Sequence, residues 1–184
     1  MPAWAWILIV VAIVAVVALI AWSAVRSVRS DRLRNRFGPE YERTVQTSGR
    51  REAEAELEAR RRRREQLDIR PLDPATRQRY AQAWTQTQSR FVDTPPEAVR
   101  EADVLVTQVM RDRGYPTENF DQRSTDVSVD HPVVVENYRA AHAISLANDQ
   151  GLASTEDLRQ AMVHYRALFE DLLGSEDTGM REAR

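Results

Sequence analysis

Apolar positions along the chain fall into three regimes. From Ala3 to Trp22 every side chain is Ala, Val, Ile, Leu or Trp, and at about 1.5 Å per residue such a run crosses the roughly 30 Å hydrocarbon layer of a bilayer. Between Arg50 and Leu67 the apolar positions thin to Leu57, Leu67 and scattered alanines among Glu and Arg, a pattern that predicts a solvated or coiled-coil-like helix. From Pro71 onward they return at spacings of three and four, the period of helices with one buried face.

That last stretch reads as four helices with clear starts and stops. Asp73-Pro74 opens one that carries Tyr80, Trp84, Thr87 and Phe91 on one face. Thr94-Pro95 opens the next, with Val99, Ala102, Val106 and Val109 aligned up to Gly114, a residue suited to a left-handed stop. Pro132 opens a third with Val134, Tyr138 and Ala141, ending before Gly151. Ser154 caps a fourth, with Asp157 at the capping-box position and Leu158, Ala161, Met162, Tyr165, Leu168, Phe169 and Leu172 as its apolar face. Mostly short loops between amphipathic helices favour an antiparallel bundle. The exception is 117–130, a longer polar connection in which Val127-Ser128-Val129 has the look of an extended segment. Upstream, the apolar run is expected to continue as helix to Arg36, break at Gly38-Pro39, resume to about Gln46 and break again at Ser48-Gly49.

The predicted fold is therefore all-α: one N-terminal transmembrane helix (1–24), a basic juxtamembrane helical stalk (25–70), an antiparallel bundle of about four helices (71–173) and a flexible tail (174–184). Trp4, Trp6 and Trp22 stand at the ends of the span, where indole rings prefer the headgroup boundary. Arg26, Arg29 and Arg32 follow it while no Lys or Arg precedes it, which orients the amino terminus outward and the domain toward the cytoplasm. A rival reading is a cleaved secretory signal, with small residues at Ala21-Trp22-Ser23-Ala24, giving a secreted helical protein. Its apolar stretch would be long, and its leader lacks the usual basic charge.

Charge sharpens the picture. The net charge of −2 hides 14 Arg against 9 acidic residues over 23–70 and 12 Arg against 19 acidic residues from Pro71 onward. A basic stalk is attracted to anionic lipid headgroups, whereas an acidic bundle is a poor partner for nucleic acid, whose binding rests on clustered cations. No lysine occurs, so Schiff-base chemistry and a phosphate-loop lysine are excluded, and the absence of cysteine excludes disulfides and thiolate metal sites. Within the stalk, Glu56 with Arg60 and Glu58 with Arg62 are four apart, the favourable acid-first order. The consecutive Arg60 to Arg64 wrap round such a helix.

The segments RFGPEYERTV (36–45), RPLDPATRQRYAQAW (70–84), VSVDHPVVVENYRAAH (127–142) and STEDLRQAMVHYRALFEDLL (154–173) resemble an uncharacterised bacterial family of single-span, membrane-anchored all-helical proteins, usually labelled hypothetical, membrane or secreted. The resemblance covers nearly everything from Leu33 to Leu173 and implies architecture only.

Candidate chemistry concentrates in one place. Asp126, Ser128, Asp130 and His131 gather two carboxylates, a hydroxyl and an imidazole on a loop leading into Pro132, and could bind a small ligand or a metal in a sensor or enzyme. The plainer reading is that Asp130 or His131 caps the helix that Pro132 starts. His142 and His164 fall at similar height in a hairpin turning near Gly151, too few ligands for a zinc site. The aromatics at helical spacing read as core rather than pocket lining. No cofactor and no catalytic activity is expected; the function read from the sequence is a membrane-anchored helical interaction or scaffold domain with a protein partner.

Overall fold

The computed structural model describes Val17, Val28 and residues 30–174, with Val17 and Val28 in helical conformation. Apart from Val17, the apolar run with Trp4, Trp6 and Trp22 lies outside the described residues, as do the flanking Arg26 and Arg29 and the tail from Ser175. Among the described residues no helix is long and apolar enough to cross a membrane. The fold is all-helical: α1 (30–37), α2 (Pro39–Ser48), α3 (Arg50–Arg64), α4 (Pro74–Arg90), α5 (Pro95–Asp112), α6 (Phe120–Asp130), α7 (Val135–Asp149) and α8 (Thr155–Gly174).

The bundle elements α4, α5 and α8 form where periodicity and caps place them, and α7 forms along its expected stripe. Asp73 caps α4 by accepting from the Thr76 N–H at 2.9 Å, ahead of Pro74 in the first turn. Ser154 and Asp157 make a reciprocal capping box at α8: the Asp157 carboxylate accepts from the Ser154 N–H at 2.9 Å, and the Ser154 hydroxyl accepts from the Asp157 N–H at 3.2 Å. The faces of α5 and α8 meet in one apolar cluster containing Val99, Ala102, Val106, Val109, Leu158, Leu168 and Leu172, closed on one side by Trp84 of α4 stacked on Phe169 at 4.7 Å. Tyr138 and Tyr165 lie fully buried within it.

Three expectations are corrected. The first concerns 120–130, which is helix α6 rather than an extended connection. Asn119 caps it by accepting from the Gln122 N–H at 3.2 Å, and Asp121 stands in its first turn. Its weak intrinsic propensity is overridden by burial of both flanks, Val127 against the bundle cluster and Val129 against the stalk. The second concerns Pro132, which does not open α7. Residues 132–134 form a turn closed by Val134 and Val135 N–H groups donating to the His131 carbonyl, and neither Asp130 nor His131 caps the helix through its side chain.

The third concerns the stalk. It is not a solvated rod but an arm, α1 to α3, folded back on itself and packed on α6. Leu33, Phe37, Tyr41 and Leu57 form a second, smaller cluster whose single bundle member is Val129. Gly38 and Gly49, with φ of 46° and 80°, make the two reversals. At the far end of the arm the linker is pinned beneath Gly114: the Arg70 N–H donates to the Arg113 carbonyl at 2.9 Å. Gly114 has φ of 97°, and a Cβ there would fall 2.2 Å from the Asp68 carbonyl oxygen.

Candidate functional site

The residues singled out as a ligand loop occupy the last turns of α6 and its C-terminal cap, on the seam where the arm meets the bundle. Asp126 is fully buried; its Oδ1 accepts from Arg63 Nε at 2.8 Å and from Gln122 Nε2 at 3.0 Å. Ser128 donates to the Thr125 carbonyl at 2.6 Å and accepts from Arg60 Nη1 at 3.2 Å. Asp130 accepts from Arg64 Nε and from the Tyr115 hydroxyl, the latter at 2.8 Å. Arg60, Arg63 and Arg64 stand at i, i+3 and i+4 and share the inward face of α3. Arg61 and Arg62 turn away, to Glu58 and Glu65.

His131 faces a different direction. Its Nδ1 lies 2.5 Å from Asp171 Oδ2 on α8, and its Nε2 lies 3.4 Å from Arg113 Nη1, which also donates to the Leu172 carbonyl at 2.8 Å. A guanidinium has no lone pair to offer, so Nε2 accepts and Nδ1 carries the proton donated to Asp171. The Ser128 hydroxyl is engaged elsewhere, and the four residues therefore share a helix end without sharing a partner. Among the described residues no group of three or more His, Asp or Glu is disposed to hold a metal ion.

The seam extends to residues the sequence reading passed over. Glu40 of α2, nearly fully buried, receives both terminal nitrogens of Arg139 of α7 at 2.8 Å and Arg60 Nη1 at 2.7 Å. Burial works against its ionisation, but the bonds and charges of Arg139 and Arg60 outweigh that and hold its carboxyl below the ordinary value of 4.5. Arg43 adds an exposed ion pair to Glu136 at 3.3 Å. Acid-first pairing within α3 is present as expected, between Arg60 and Glu56 and between Arg62 and Glu58 at 3.9 Å.

A second polar centre lies inside the bundle. Asp103 of α5 accepts from the Tyr165 hydroxyl at 2.8 Å and faces His142 Nδ1 at 3.8 Å, too far for a hydrogen bond. Burial tends to raise the Asp103 carboxyl, while His142 and Tyr165 hold it below its usual range. The His142 ring stacks on Phe120 at 3.6 Å, whereas His164 pairs with Asn137 at 3.1 Å, so the two histidines serve separate contacts. Arg123, buried on α6, donates to the Tyr138 hydroxyl at 2.5 Å and to the Thr117 carbonyl at 3.0 Å. The aromatic stripe is core, apart from Tyr80, which borders an open groove of about 220 Å³ with Arg79 and Asp112. An adjoining groove of about 370 Å³ continues between α4 and α5 past Thr87 and Val104 to Arg90 and Glu101.

No protein-family model, curated protein or solved structure matches this chain. Its functional reading rests on residues and geometry.

Proposed function

We propose that this is a single-pass membrane protein that presents its helical domain to a protein partner at the cytoplasmic surface, with the Ala3 to Trp22 run as anchor and Arg26, Arg29 and Arg32 at the anionic headgroups. One observation carries the reading: the fold begins almost where the apolar run ends. Ser30, eight positions beyond Trp22, is only 3% exposed, and it is bound into the arm by donating to Glu54 at 2.6 Å and accepting from Arg50 at 2.8 Å. Even fully extended, eight residues reach only about 29 Å. A domain tied so closely to a span works beside the bilayer rather than at the end of a long tether.

Two exposed apolar side chains on bundle connections support an interaction role. Val92 in the α4–α5 connection and Leu152 in the α7–α8 connection are strongly exposed, at 81% and 74%. The helix ends beside them meet where Asn148 Nδ2 of α7 donates to the Pro96 carbonyl of α5 at 2.9 Å. Exposed apolar side chains on fixed loops are suited to contact with another protein.

Protease accessibility tests the proposal. Trypsin should cut at exposed Arg62 in inverted vesicles and leave it intact in spheroplasts. The opposite pattern reverses the orientation, and recovery from the medium of a chain starting at or beyond Ala24 favours the secreted reading.

A further inference from the structure

We propose that the contact between arm and bundle is a releasable ionic latch, in which bundle carboxylates occupy arginines of α3 that clustered phosphate groups compete for. Three observations lead there. The arm and the bundle have separate apolar clusters, joined through Val129. What crosses the seam is otherwise polar: Arg63 to Asp126, Arg64 to Asp130, Arg60 to Ser128 and Arg139 to Glu40. The seam is also imperfectly satisfied, since Oδ2 of the fully buried Asp126 and Nε of Arg60 have no hydrogen-bond partner among the described residues. Buried charges with an incomplete shell contribute specificity of pose rather than strong net attraction.

The hinge is also defined. The linker is fixed to the bundle at Arg70, while residues 65–67 form a turn immediately after α3. Pivoting there would part α3 from α6, leave the bundle cluster whole and withdraw only Val129 from the arm cluster. It would bare the adjacent guanidinium groups of Arg63 and Arg64, with Arg60 beside them still held by Glu40 and Glu56 within the arm, a pair suited to binding clustered phosphate groups. Headgroups of an anionic bilayer and free phosphate share that chemistry.

The test uses the full chain, which has no native cysteine, with spin labels at Arg62→Cys on α3 and Leu146→Cys on α7, both exposed positions. Pulsed dipolar spectroscopy is recorded in zwitterionic nanodiscs, in nanodiscs with a third of the lipid as phosphatidylglycerol, and in detergent with inorganic pyrophosphate at matched ionic strength. A single short distance is expected in zwitterionic lipid, and a longer second population rising at least about tenfold where phosphates are clustered. Opening in anionic discs alone assigns the competitor to lipid, and opening in both assigns it to phosphate itself. The Asp126→Asn, Asp130→Asn variant should open without added anion, whereas Arg63→Gln, Arg64→Gln should open and no longer respond to it. An unchanged short distance in every arm, with helicity retained, overturns the latch. Because this inference leans on the anchored reading for its lipid source, retention in discs is scored separately: a chain that discs do not retain ends the anchored reading, and the pyrophosphate arm still decides the latch.

Discussion

The bundle interior and the arm seam solve the same problem, joining helices, with opposite chemistry. In the bundle, α5 and α8 bury Val99, Val106, Leu168 and Phe169 almost completely, and the stabilisation scales with apolar area at about 25 cal/mol per Å². At the seam, α3 offers α6 chiefly guanidinium groups, and α6 answers with Asp126 and Asp130. Apolar contact is insensitive to direction and adds up; ionic contact is directional and is largely offset by desolvation. The bundle should therefore set how stable the molecule is, and the seam should set how the arm is posed.

Substitutions can break that contrast. The largest loss belongs to the bundle: Phe169→Ala removes the partner of Trp84 and should cost about 3–5 kcal/mol, seen as a lowered denaturant midpoint for the full chain in mild detergent. A loss below about 1 kcal/mol would show that the stack is peripheral. At the seam, Arg63→Ala leaves the Asp126 carboxylate buried beside Gln122 alone and should cost about 1.5–3 kcal/mol. Arg62→Ala, one position along but 66% exposed, should cost less than about 0.5 kcal/mol. Equal effects for the two neighbours would remove the distinction between inward and outward faces of α3.

Gly114→Ala sharpens the comparison at the hinge. Its φ of 97° and the nearby Asp68 carbonyl predict a loss of about 1–3 kcal/mol, with hydrogen exchange accelerating first in the linker around Asp68 and Arg70.

Acid should act on the seam through Glu40. Its folded pKa lies below the ordinary 4.5, so the folded state holds a proton less readily than the unfolded one. Its contribution is complete above about pH 4.5 and drains as pH falls through the lower folded value. Hydrogen exchange at pH 6 and pH 3.5 should show α3 loosening, with Asp103 making the α5–α8 contact a second acid-sensitive point; unchanged protection of α3 would mean that the seam is not acid-sensitive.

The two regions also differed in how far they could be read from residues alone. The helices α4, α5 and α8 were legible because their stripes recur at three and four and their starts carry Asp73, Thr94-Pro95 and the Ser154-Asp157 box. Helix α6 was hidden because Asp, Ser and Thr crowd its sequence and its burial depends on a partner segment more than 60 positions away. The seam was missed for the same reason: Arg63 and Asp126 stand far apart in the chain. Periodicity held a signal, with Asp126 and Asp130 four apart matching Arg60, Arg63 and Arg64, but reading five consecutive arginines as a ring around a solvated helix obscured it. The candidate residues Asp126, Ser128, Asp130 and His131 do sit together at one helix end. What their identities could not reveal is that arginines, Thr125, Tyr115 and Asp171 already engage them.

The most direct measurement is a double-mutant cycle on Arg63 and Asp126 in the full chain, using Arg63→Ala, Asp126→Ala and the pair, with stability read by denaturant unfolding followed at α6. The arm-on-bundle account predicts a coupling of at least about 1 kcal/mol. A coupling indistinguishable from zero, with both single variants folded, would contradict it.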